Sequence, residues 1–137
     1  MSKKAKIVII SVVCAVVVLT IILSVSLTVG SFNNRFIKQM TKRGYTVIDH
    51  TSEYHRYGAN DSSYFSFISA ERIENSEHIR NPQENNDTVM VSIFKNKNDA
   101  KDFYEKEMRN IKEGEQVIQK GKKVYIGTVQ GLIDAGV

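Results

Sequence analysis

The chain has 137 residues and carries 19 Lys and Arg against 15 Asp and Glu, a net charge of +4 with neutral histidines. Three of the basic residues, Lys3, Lys4 and Lys6, precede a long apolar run. Without them the rest is within one charge of neutral and well mixed, so the charge-driven polyanion binding that the net charge suggests is not indicated and no nucleic-acid partner is expected.

The run Ile7–Val29 holds no charged residue, no Pro and no Gly, and only Ser11, Cys14, Thr20, Ser24, Ser26 and Thr28 interrupt it with polar or small side chains. As a helix it rises about 35 Å at ~1.5 Å per residue, enough to cross a hydrocarbon core of about 30 Å. Three other readings are weaker. A cleavable signal peptide has a basic start, as here, and Ser24-Val25-Ser26 and Thr28-Val29-Gly30 are passable cleavage sites, but the apolar stretch is too long. A lipoprotein anchor needs a small residue before its cysteine, whereas Val13 precedes Cys14. A buried helix of a soluble fold would need more chain than residues 31–137 to cover it on every face. The expected organisation is a basic cytoplasmic tail over 1–6, a transmembrane signal-anchor helix over 7–29 and one small extracytoplasmic α+β domain over 31–137. The bilayer is thus the first expected partner.

Orientation is read from form rather than charge. Lys3, Lys4 and Lys6 before the run nearly balance Arg35, Lys38, Lys42 and Arg43 after it, so the positive-inside bias does not decide. A short lysine-bearing N-terminal tail is the usual form of a signal anchor. The expected topology is single-pass with the N-terminus inside and the C-terminal domain outside. Inside the run, Thr20, Ser24 and Thr28 recur every four residues, as do Ser11 and Ala15. Such residues either line a helix–helix contact, through which the chain self-associates or joins a larger complex, or bond back to the carbonyl one turn earlier, the default.

Beyond the run, Ser31 can cap a helix over about 32–43 that Gly44 stops, with a break from the membrane helix near Gly30-Ser31. Its basic residues and Phe32, Phe36, Ile37 and Met40 suit either contact with anionic headgroups or, the preferred reading, packing on the domain itself. Tyr45–His50 reads as a short strand, His50–Ser63 as a polar connection, and Tyr64–Arg72 as a strand with alternating faces. Glu74–Asp87, with the only Pro, reads as a long exposed loop. Thr88–Lys95 has two apolar faces and suits a central strand. An amphipathic helix is expected over about 97–113, capped by Asn96 or Asn98, stopped by Gly114, with Ala100, Phe103, Tyr104, Met108 and Ile111 as its buried stripe. Gln116–Gly127 reads as a hairpin around Lys120-Gly121, and Thr128 caps a short helix over 129–135 with Leu132 and Ile133 as its apolar side. The fold class is α+β: a single N-terminal transmembrane helix, then an antiparallel sheet of about four to five strands packed by one main amphipathic helix.

Few catalytic chemistries fit. Cys14, the only cysteine, lies inside the apolar run, so the domain has no disulfide, thiol nucleophile or Cys-based zinc site. There is no G-x-S-x-G, P-loop, G-x-G-x-x-G or EF-hand loop, and the glycines from Gly114 onward are spread among turns. His50 and His55, with Asp49, Glu53 and Tyr54 nearby, are weak candidate ligands for zinc, lacking a third ligand fixed by sequence. His78 reads as a surface residue. No catalytic residue and no cofactor is expected. The best binding candidates are Tyr54, Arg56, Tyr57 and Tyr64, because Tyr and Arg are frequent anchors of binding surfaces, although a strand with its flanking loop yields the same cluster. The leading expectation is a membrane-anchored, non-catalytic domain that binds or regulates another membrane or surface protein. The alternatives are a small anchored hydrolase or metal-dependent enzyme using His50 and His55, and an accessory subunit of a larger complex that associates through the span.

Overall fold

A computed structural model of the chain describes residues 3–52, 64–73 and 86–137. The chain divides into two compact units, Met1–Phe32 and Asn33–Val137. Helix α1 (Lys3–Lys42) contributes residues to both.

In the first unit, the side chains from Ile10 to Leu23, and Leu27, are exposed. The hydroxyls of Thr20, Ser24 and Thr28 bond to the carbonyls of Val16, Ile21 and Ser24 at 2.8 Å each. Each thus satisfies its donor within its own helix. The expected break near Gly30-Ser31, with a cap at Ser31, is not found, since both residues lie inside α1. One glycine costs a helix about 1 kcal/mol relative to alanine, too little to interrupt a helix propagated from both sides.

In the second unit α1 ends as the sequence anticipates. Gly44 takes φ +85°, the Gly44 N–H bonds to Thr41 O and the Tyr45 N–H to Met40 O. This paired closure needs a left-handed residue, which glycine supplies without strain. Five strands follow: β1 (Thr46–Asp49), β2 (Tyr64–Ile73), β3 (Asn86–Phe94), β4 (Glu115–Lys120) and β5 (Lys123–Thr128). They form one antiparallel sheet in the order β1-β2-β3-β5-β4. β3 is central, as its two apolar faces imply.

Helix α2 (Lys97–Asn110) connects β3 to β4, and Asn96 caps it by accepting the Asp99 N–H at 2.9 Å. It packs on the face carrying Phe94, Val117, Val124 and Ile126, with Ala100 fully buried and the Phe94 and Phe103 rings 5.2 Å apart. The expected stripe is cut short. Ile111 leaves the helix with ψ 138°, so Met108 and Ile111 sit at the frayed end, 45% and 37% exposed, and Gly114 (φ +83°) serves the turn into β4. The β4–β5 turn has two residues, with Gly121 at φ +63°, as expected of a tight hairpin.

Directly paired residues share a face, so the register places Ser66, Ile68, Ala70, Val89, Val91, Ile93 and Tyr125 together on the opposite face. That face is not left open, as one main helix would leave it. Asn33 in α1 accepts from Ser66 Oγ at 3.1 Å, and Phe36 and Met40 are 3% and 0% exposed. These two therefore pack on the domain rather than face lipid. Helix α3 (Val129–Asp134) covers the rest with Leu132, 3% exposed, while Ile133, expected beside it, is 57% exposed. α3 is too short for a broad stripe; it turns Gly131, Leu132 and Asp134 inward instead.

Candidate functional site

Of the residues singled out by sequence, Tyr54, Arg56, Tyr57 and His55 lie outside the described residues, as do Glu53 and His78. Tyr64 opens β2, opposite Phe94. His50 follows β1. Its Nε2 shares a 2.8 Å hydrogen bond with Ser69 Oγ, and its ring lies 5.3 Å from that of Phe67. Among the described residues no group of three or more His, Cys, Asp or Glu side chains is placed to hold a metal ion.

The structure instead brings together residues that the sequence reading left apart. Asp134, 5% exposed, sits at the end of α3. Its Oδ1 accepts from Arg43 at 2.7 Å and from Gln130 at 3.1 Å; its Oδ2 accepts from the Tyr45 hydroxyl at 2.8 Å and lies 3.4 Å from Arg72 Nη1. Gln39 donates to the Asp134 carbonyl at 2.6 Å. Arg72 continues to Asp87 at 2.6 Å and lies over the Tyr45 ring at 4.8 Å. Both flanking helices close on left-handed glycines beside this cluster, α1 at Gly44 and α3 at Gly136 (φ +79°).

Burial alone would push the Asp134 carboxyl up. The hydrogen bonds from Tyr45, Gln130 and Arg43, with the Arg72 charge, outweigh it and hold the group below the usual carboxylate range. Burial, then the hydrogen bond to Asp134 and its charge, push the Tyr45 hydroxyl well above its ordinary value. A carboxylate held by three hydrogen bonds and two guanidinium charges acts as a structural clasp. The raised Tyr45 value has a sign. Its contribution to stability is complete below about pH 10, the unfolded value, and is lost as pH rises from there through the folded one. Tyr45→Phe is expected to cost about 1–2 kcal/mol at neutral pH and to flatten the alkaline loss. Urea midpoints of the two proteins from about pH 7 to about pH 11 read both effects.

A second feature adjoins the clasp. Thr128 accepts the N–H groups of Thr88 and Gly131, each at 3.2 Å, while its hydroxyl lies 3.4 Å from Asp87 Oδ1 and from Thr88 O. It thereby caps α3 and binds it to the central strand. Beyond it an open polar cleft of about 760 Å³ is lined by Glu71, Asn86, Thr88, Lys112, Glu113, Gly114, Glu115 and Thr128. Asn86 donates to Glu71 across its rim at 2.8 Å. The cleft offers carboxylate and hydroxyl acceptors with one ammonium.

Comparison with known proteins gives no assignment: no protein family, no curated protein and no solved structure matches this chain.

Proposed function

We propose that the chain is a single-pass, membrane-anchored, non-catalytic domain that binds or regulates another protein at the membrane surface, with its N-terminus inside and the domain outside. The observation that carries the anchoring is the exposure of α1. Its large apolar residues from Ile10 to Leu23, and Leu27, are 51–73% exposed. Fully burying such a side chain is worth about 1.5–3 kcal/mol, so a hydrocarbon environment recovers on the order of 15 kcal/mol for this segment, comparable with the whole stability of a small domain. The self-bonded hydroxyls of Thr20, Ser24 and Thr28 suit a helix in lipid, where each polar group needs an internal partner. The binding role is supported by the character of Tyr54, Arg56 and Tyr57.

The full chain is expected to remain with vesicles through alkaline carbonate extraction, and a chain lacking residues 7–29 to be released. Protease added outside intact cells is expected to digest residues 31–137; complete protection reverses the orientation. In-cell crosslinking then addresses the partner. Joint replacement of Tyr54, Arg56 and Tyr57 by alanine is expected to remove the crosslinked product from a folded protein, and an unchanged product rules that surface out. A product lost only when the span is exchanged for polyleucine moves the contact to the span.

A further inference from the structure

The domain has one basic end and one of mixed charge, and the chain enters at the basic one. A single ladder of paired residues runs across the sheet through Ser66, Ile93, Lys123 and Lys120. Paired residues share a face, so both lysines lie on the face that α1 covers. Asn33, where the second unit begins, is bonded to Ser66 at 3.1 Å. At about 4.8 Å per strand spacing, Lys123 is about 10 Å from that point along the ladder, and Lys120 about 14 Å.

The remaining contacts gather more positive charge here. The Phe94 N–H bonds to Lys122 O at 2.9 Å, drawing the end of β3, and Lys95 after it, to the hairpin turn. Arg35, two residues into the domain, is exposed, as are Lys95, Lys120 and Lys122. Burial and the Arg35 charge together hold the Lys123 ammonium below the ordinary lysine range, which agrees with a crowding of like charges. Acidic residues described at this end are Asp49, which accepts the Thr51 N–H, Asp99, which Asn96 bonds within the α2 cap, and the exposed Asp102 in the next turn of α2. The opposite end is mixed: Glu71, Glu113 and Glu115 stand with Lys112 around the cleft, Lys42 lies in the last turn of α1, and Arg43 and Arg72 are engaged by Asp134 and Asp87.

Chain length then limits where the basic end can be. Four residues separate Val29 from Asn33, a reach of at most about 14 Å at ~3.5 Å per residue. For a span that leaves the hydrocarbon at Val29, Asn33 begins the domain within that reach.

We propose that the domain docks on the anionic phospholipid headgroups of the bilayer crossed by its own span, through Arg35, Lys95 and the β4–β5 turn lysines Lys120 and Lys122. The proposal depends on the anchoring reading above. It moves the headgroup contact from the helix surface, whose Phe36 and Met40 are buried, to the hairpin tip. The mixed charges of the far end offer no comparable attraction, so the basic end sets which end of the domain meets the surface.

The test uses the full chain in nanodiscs of phosphatidylcholine alone and of phosphatidylcholine with phosphatidylglycerol, read by amide hydrogen exchange over residues 119–123. The anionic discs are expected to slow exchange there, with occupancy of the docked state falling about fivefold for each lysine removed. Lys120→Gln with Lys122→Gln is expected to abolish the difference; Glu113→Gln with Glu115→Gln is expected to keep it. Raising salt from about 0.1 M to about 1 M shortens the screening length from ~10 Å to ~3 Å and is expected to erase the difference in the unmodified chain, an arm that needs no variant to fold. Equal exchange in both discs, with the protein retained in them, overturns the docking and leaves the anchoring standing. Failure to enter either disc overturns both. Equal protection by soluble polyphosphate in neutral discs makes the patch a general polyanion site and overturns the lipid assignment.

Discussion

Replacing Asp134 with alanine is expected to destabilise the 33–137 unit by about 3 kcal/mol, the range found when one partner is removed from a buried charge cluster. The cost is unequally shared. Arg43 has a side chain 47% exposed and rehydrates readily. Arg72 keeps Asp87 at 2.6 Å. Tyr45, 3% exposed, loses the acceptor of a buried hydroxyl, and that group alone costs about 1–3 kcal/mol when unsatisfied. Asp134→Asn keeps an acceptor for Tyr45 but presents N–H donors to guanidinium groups, so about half the loss is expected. Because the folded carboxyl is held below its unfolded value, its contribution is present above about pH 3.9 and disappears as pH falls through the folded value. The Asp134→Ala protein is therefore expected to show a weaker acid dependence than the parent. Urea unfolding across that range measures both, and a double-mutant cycle with Tyr45→Phe is expected to give a coupling above about 0.5 kcal/mol. A loss below that figure in the single variant refutes the clasp.

Gly131→Ala is expected to be at least as damaging. A Cβ on Gly131 meets Thr88 O at 2.2 Å and Thr88 C at 2.8 Å, and one on Gly127 meets the same oxygen at 2.2 Å and Val89 Cα at 2.8 Å. Neither glycine has a positive φ, so the requirement is space and not backbone conformation. Two glycines four positions apart close on one peptide of the central strand, and the Thr128 hydroxyl between them bonds that peptide. Alanine at 131 must push α3 off β3, weakening the Thr128 bonds and the Asp134 clasp together. A loss of about 3 kcal/mol or more follows from overpacking with broken hydrogen bonds. It lowers the melting midpoint by more than about 10 °C for a domain of this size. Gly30→Ala, with nothing within 4 Å of its Cβ, is the control and is expected to be neutral or slightly stabilising.

Much of the fold was written locally. Alternation marked β2 and β3, the Lys120-Gly121 step marked the hairpin, and Asn96, Gly44 and Thr128 marked helix ends that the structure keeps. Strand order was not local: β5 lies between β3 and β4 because α2 carries the chain past its neighbour's place. The clasp was also invisible. Arg43, Tyr45 and Arg72 reach an aspartate 91, 89 and 62 positions away, with no periodicity to connect them. Gly127 did leave a signal, since a glycine inside a strand marks close backbone approach, whereas Gly131 lies in α3; both read as turn residues. For the candidate binding surface, Tyr54, Arg56 and Tyr57 remain a sequence inference, while Tyr64 is placed at the start of β2.

The clasp also determines how the domain bears tension. A pull transmitted along α1 enters at Asn33 and meets Gln39 and Arg43, both bonded to Asp134, before it reaches Thr46, the first residue of β1. β1 is an edge strand paired with β2 alone. A strand at the margin of a sheet peels one hydrogen bond at a time. The clasp diverts the load to α3, which Thr128 fastens to the central strand. Detachment there must shear the ion pairs, the Thr128 bonds and the packing of Leu132 together. A domain built this way is gripped through its middle strand, and its edge strand is spared the force.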